Sequence, residues 1–196
     1  MPLTKIQSLG ITDGTIVNAD INASAAIAGT KLSGAGKVLQ VVSTTKTDTF
    51  SVAGTTSLVD VTGLSVSITP SSASNKILIT GFIGSATGPS GNQTFFHLIR
   101  GSTEIAKGDT SASKRLAHTA AIGNVDAFGS NSWMLTPIPF QHLDSPATTS
   151  STTYKIQLSG ATTSNTHYVN RSIRDEASTY YDGRIVSTIT VMEIAA

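Results

Sequence analysis

The chain has 196 residues, a formal net charge of +1, no cysteine and only 13% charged residues. So neutral a surface lacks the concentrated basic field that a phosphate backbone demands, which excludes nucleic acid as the expected partner, and the missing thiols exclude disulfide staples and cysteine-ligated metal. No apolar run reaches the roughly eighteen residues of a membrane span, and the N-terminus lacks the apolar stretch of a cleaved signal, so a cytoplasmically assembled protein is expected.

In chain order, the first feature is an aliphatic beat. Ile6, Ile11, Ile16 and Ile21 stand five apart, Ile27 follows after six and Leu32 after five more. Neither the 3.6-residue helical period nor the two-residue strand period fits this spacing. Between the anchors lie turn residues, Gly10, Asp13-Gly14, Asn18 to Asp20 and Gly29, which favour repeated short bends. One large apolar group per bend cannot offset the ordering entropy of a lone chain, but identical chains meeting on an axis can supply the missing apolar contact. Residues 1–36 are therefore expected to be an extended arm that intertwines chains, most naturally three. The alternative is an arm lying unstructured or along its own domain.

After Ser33-Gly34-Ala35-Gly36 the texture changes to short Val, Ile and Thr runs broken by Gly, Ser and Pro, which sets residues 37–196 apart as a head. Expected strands cover 38–43, 48–53, 57–61, 64–69, 76–84, 93–100, 103–107, 132–142, 152–159, 165–170 and 184–194, with no helix of ten residues. This pattern predicts an all-β, antiparallel sandwich of the jelly-roll kind. The 26 Ser and 29 Thr suit such a fold, since Thr is β-branched and both hydroxyls bond water or sugars without adding charge. Leu64, Val66 and Ile68, like Tyr154, Ile156 and Leu158, alternate with polar residues and predict strands wet on one face. In 76–83 and 185–194 apolar residues occupy both parities, which predicts that both faces are covered, by a loop or by sister subunits.

The chemistry-bearing residues are sparse. The four histidines lack the spacing of a zinc pair; His97, in an apolar strand, would make an ion-binding ring only if three copies met on an axis. Asp175-Glu176 is the only adjacent acidic pair, and Arg171 and Arg174 beside it point to local charge pairing rather than acid–base catalysis. Nucleophile elbows and phosphate loops are missing, so no enzyme, cofactor or metal is expected. The long irregular stretches 108–131 and 159–183 carry exposed-type aromatic and planar polar groups. Asn131, Trp133, Tyr168, Asn170, Tyr180 and Tyr181 form the candidate recognition set, of the types that stack on sugar rings and bond their hydroxyls. The opposing expectation is that Trp133 and Tyr168 fill the core while Tyr180 and Tyr181 cap a sheet edge.

The run Ile11-Thr12-Asp13-Gly14-Thr15-Ile16-Val17-Asn18-Ala19-Asp20-Ile21-Asn22-Ala23-Ser24-Ala25-Ala26-Ile27, followed by Gly29-Thr30-Lys31-Leu32, resembles a segment recurrent in fibre-type virion proteins of tailed bacteriophages, especially those of cyanobacteria and other aquatic hosts. Leu98 to Thr103, Thr153 to Gln157, Tyr168 to Ser172 and Ser187 to Ile194 resemble the trimeric β-sandwich heads of such fibres. The resemblance implies a homotrimer in the virion, bound to other virion proteins through the arm and touching the host surface or the shell with the head. Host attachment by a short fibre or knob is the first expectation, with a surface glycan as the implied ligand, and capsid decoration the second. A polysaccharide-degrading enzyme would need a paired-carboxylate cleft that the sequence does not offer, and a secreted ligand of the tumour necrosis factor type would need a signal. Because the repeat begins almost at Met1, either the arm itself is expected to dock, or the protein is expected to be a short fibre, knob or decoration protein attached through another subunit.

Overall fold

A computed structural model describes residues 37–86, 93–109, 119–122, 133–177 and 180–196. The isoleucine arm and Asn131 lie outside the described residues, all of which belong to one compact unit, Ala35–Ala196. Eleven strands are described: β1 (Val38–Lys46), β2 (Phe50–Val52), β3 (Val59–Ile68), β4 (Lys76–Ala86), β5 (Thr94–Arg100), β6 (Thr103–Ile105), β7 (Ala120–Ile122), β8 (Thr136–Asp144), β9 (Thr152–Gly160), β10 (His167–Val169) and β11 (Ser187–Ile194). No helix occurs among the described residues.

Every strand pair is antiparallel. In the first sheet β11 lies between β1 and β4, and β8 flanks β4 on the opposite side, while the short β10 and β2 extend the sheet past Gly84. In the second sheet β9 lies between β3 and β5, and β6 and β7 share the far side of β5. The chain thus crosses between facing sheets in the order of two interleaved Greek keys, a jelly roll. The expected fold class holds. Strands expected at 57–61 and 64–69 are one strand, β3, whose register slips between Asp60 and Ser65 around Gly63 at φ +84°. β7, inside a stretch expected to be irregular, has too little sequence to register as a periodic run.

Alternation builds the core. Leu64, Val66 and Ile68 from β3, and Tyr154, Ile156 and Leu158 from β9, turn inward against Ile77, Ile79, Ile189 and Val191 of the first sheet. Phe96 and Leu98 of β5 complete the contact. At the end where Lys37 enters the sandwich, a polar tie joins the sheets. Buried Asp144 on β8 accepts bonds from Arg100 Nη1 on β5 (2.8 and 3.0 Å) and from the Tyr154 hydroxyl on β9 (2.7 Å). Nearby, the fully buried Glu193 carboxylate accepts bonds from the Gln40 and Asn75 amides (2.6 Å each) and from Ser71 N and Oγ (2.7 Å each).

Among the described residues β4 and β11 are fully covered on one face and only partly on the other. Their inward residues are buried, but Leu78, Phe82, Met192 and Ile194 on the other parity stay partly exposed. The second sheet covers one face of this pair, as two-layer geometry dictates.

Candidate functional site

Opposite the Lys37 end, the segment between β10 and β11 forms the best-built surface feature. It starts at Asn170, whose φ of +64° turns the chain sharply out of β10. That conformation is tolerated because the side chain is pinned. Nδ2 donates to Lys46 O (2.8 Å) and Asp48 O (3.0 Å), and Oδ1 accepts from Ser187 Oγ (2.6 Å). Asn170 N donates to Gly84 O (2.8 Å). Asn170 is fully buried, which corrects its place in the recognition set. It fastens the loop to three parts of the first sheet and is not on the surface.

A bridge between Arg171 and Arg184 closes the base of the excursion, and two aspartates organise its interior. Asp182 accepts from Ser172 Oγ (2.8 Å), Arg174 Nε (2.8 Å) and Glu176 N (3.2 Å). Asp175, at φ +50°, receives a fork from Arg184 through Nε (3.0 Å) and Nη2 (2.9 Å), with Arg171 Nε 3.5 Å away. The Arg184 hydrogen bond, helped by the charges of Arg171 and Arg184, holds the Asp175 carboxyl below its ordinary value. Arg171 also donates to Ser172 O and Ile173 O. The acidic pair thus serves local charge pairing, as its neighbours in sequence implied.

On this frame the aromatic side chains stand outward. Trp133 is 38% and Tyr181 72% exposed, their ring centroids 6.1 Å apart at 42°, and Tyr180 is fully exposed. Arg174 lies over the Trp133 ring at 5.5 Å and Arg171 over the half-buried Tyr168 ring at 4.9 Å. Neither Trp133 nor Tyr168 joins the core cluster, so the core-filling expectation fails for both. The structure brings Trp133 and Tyr181 together and sets Tyr168 against Arg171. The arginines and aspartates that build the loop were not in the predicted set, although the alternation of Arg171, Arg174, Asp175, Asp182 and Arg184 was the available signal. Chemically, the surface offers tilted apolar rings beside oriented guanidinium and carboxylate groups.

The remaining candidates resolve otherwise. His97 is buried, with Nδ1 paired to Glu104 Oε1 (2.5 Å) and Nε2 to Ser159 Oγ (3.0 Å). Both ring nitrogens are engaged within the chain, so His97 is a hydrogen-bonded histidine of the sandwich. Buried His167 pairs Nδ1 with Thr94 Oγ1 (2.7 Å), tying β10 to β5, and its Nε2 has no hydrogen-bond partner among the described residues. A side chain on Gly160 would fall 2.1 Å from that nitrogen, so the close approach requires glycine. A cleft of about 370 Å³ at the Lys37 end is lined by Arg100, Thr148 and Thr152 among others, but its guanidinium is already committed to Asp144. Among the described residues no group of three metal-ligating side chains is found.

No protein-family model and no curated protein matches the chain. Among solved structures, one described as that of infectious bursal disease virus Gx strain is similar over 80% of this chain and 42% of that one, with 14% identity and a TM-score of 0.36. The chain therefore spans less than half of that neighbour's length.

Proposed function

We propose that this chain is a non-enzymatic structural protein of a tailed-bacteriophage virion, a homotrimeric short fibre or knob whose head binds a glycan on the host cell surface. It assembles in the host cytoplasm, and residues 1–36 hold the copies together and dock on other virion proteins. The observation that carries this reading is polarity. The chain enters the sandwich at Lys37, where Ala195 N bonds Lys37 O (2.8 Å), while the exposed rings of Trp133, Tyr180 and Tyr181 stand at the opposite end of the strands. A protein fixed at one end and presenting rigidly framed aromatic groups at the other is arranged for contact with a second surface. The resemblance of the N-terminal repeat to phage fibre segments supplies the setting.

The test replaces Tyr180 and Tyr181 together by Ser, and separately Trp133 by Ala. Stacking contacts of about 1.4 kcal/mol correspond to tenfold in affinity, so binding of the purified protein to host cells should fall at least tenfold. The melting temperature should stay within a degree or two, because none of the three is in the core. Unchanged binding by both variants would reject the attachment reading. If particles lacking the protein still adsorb but break on heating or in low salt, the copies serve the shell as decoration instead.

A further inference from the structure

On the outer face of the first sheet the described residues leave a row of aliphatic side chains about half exposed. Register places Val41, Met192, Leu78 and Leu143 side by side across β1, β11, β4 and β8. Their neighbours Val42, Val191 and Ile79 belong to the core side, so by strand alternation these four point away from it. The irregularity in β1 between Val38 and Gln40 leaves Val38 and Leu39 both exposed next to Ile194. Val38, Leu39, Val41 and Leu143 are each about half exposed, at 53%, 47%, 56% and 50%. The next two rows on this face are Ser43, Thr190, Thr80 and Gln141, then Thr45, Thr188, Phe82 and Pro139. Lys76, at the margin opposite Ile194, is the only charged residue in these rows.

We propose that this face is where copies of the chain pack on one another. The inference rests on the homotrimer reading above and adds the surface through which the copies touch. Two features select a second copy over another occupant. The first is charge: a face without a charged group in its interior meets an identical face with no like-charge repulsion, and it offers a charged partner nothing to pair with. The second is extent. Four strands about 4.8 Å apart and some eight residues long make a plane on the order of 500 Å² before the pleat is counted. Two such faces together bury on the order of 1,000 Å², the size that a specific interface must clear. Three copies turning this face toward a common axis would each meet both neighbours with it. β1, which supplies three of the half-exposed aliphatics, is also the strand that follows the intertwining arm in sequence.

Because the chain has no cysteine, a single introduced thiol reports on one position. Full-length Leu143→Cys, Val41→Cys and the control Tyr180→Cys are labelled with a maleimide-bearing polyethylene glycol, with the mass of each followed by light scattering. In the native trimer the thiols at 143 and 41 should label at least tenfold more slowly than the one at 180, and all three equally fast after unfolding. Half exposure in the single chain cannot account for such protection. Val41→Lys combined with Leu143→Lys should bring the mass down toward one chain, or loosen the head of an arm-held trimer so that a thiol at Thr190 labels quickly. A trimer in which positions 41 and 143 label as fast as 180 overturns this interface while leaving the oligomer standing. A wild-type monomer at micromolar concentration overturns both.

Discussion

The two sheets are alike on their inner faces and differ on their outer ones, where the second is polar along β3 and β9. Outward from the second sheet stand Asp60, Ser65 and Ser67 on β3 with Thr153, Lys155 and Gln157 on β9. They are laced by Lys155 and Gln157 to Asp60 (2.9 and 2.7 Å) and by Ser67 with Thr153 (2.7 Å). Outward from the first sheet stand aliphatic and hydroxyl rows, where the bond between Ser43 and Thr190 (2.8 Å) is typical of the polar contacts. A strand's core-facing parity is dictated by the need for apolar burial. The other parity answers to whatever lies outside, so its chemistry reports surroundings that the folded chain does not itself contain.

The largest expected effect tests the likeness of the inner faces. Phe96 on β5 and Ile189 on β11 lie in one cluster, 1% and 0% exposed. Phe96→Ala should cost about 3–5 kcal/mol and Ile189→Ala about 2–5 kcal/mol, the price of a large buried side chain with incomplete collapse of the cavity. Urea unfolding followed by Trp133 fluorescence and by far-ultraviolet dichroism should show one transition, shifted in both variants. If the two signals separate in either variant, the sheets do not share a core and the comparison fails at its base.

How much of this was legible in sequence follows from which interactions are local. Leu64, Val66 and Ile68 announced β3 by alternation, as Tyr154, Ile156 and Leu158 did β9, because burial on one face repeats every second residue. The double-parity runs in β4 and β11 were legible as anomalies, but the described residues account for burial of the inner parity alone. Asn170 misled because a polar residue next to a turn looks the same whether it faces water or is pinned. Its bonds reach Lys46, Asp48 and Ser187, far away in sequence. The partners of His97 could not be named from sequence either, since Glu104 and Ser159 meet it only once β5, β6 and β9 are in register. The arm and Asn131, outside the described residues, stay expectations.

A smaller effect arises because the inner side of the first sheet carries buried titratable groups, His167 and Glu193, whereas its outer rows carry only Lys76 at the margin. Burial holds the His167 imidazole below its ordinary value of 6.5. A folded state that favours the neutral ring is fully stabilised above pH 6.5 and loses ground below it, because the unfolded chain takes up the proton first. Burial alone would raise the Glu193 carboxyl, but bonds from Asn75, Gln40 and Ser71 outweigh it and bring the value down to about 2. Its contribution is complete above the ordinary 4.5 and fades as pH falls from there toward 2. Melting temperature measured from pH 8 to pH 3 should therefore decline in two stages, the upper one below 6.5 and the lower one below 4.5. His167→Gln should flatten the upper stage, and Glu193→Gln the lower. A curve level down to pH 4 would show that acid does not reach this sheet from within.

The smallest effect sharpens the contrast from the polar side. Lys155 Nζ lies 2.8 Å from Asp60 Oδ1, with the aspartate side chain 55% exposed. The Lys155 hydrogen bond, then that of Gln157, keeps the Asp60 carboxyl below 3.8. An exposed pair of this kind is screened by water and salt, so Lys155→Met should cost no more than about 1 kcal/mol. The difference from wild type should shrink further in 0.5 M salt. In a carboxyl titration followed by nuclear magnetic resonance, the Asp60 value should rise toward 3.8 without reaching it, because the Gln157 bond persists. A loss of several kcal/mol, unaffected by salt, would mean that the pair is shielded from water by something lying on the second sheet. The two outer faces would then be covered alike, and the asymmetry that singles out the first sheet for self-association would be gone.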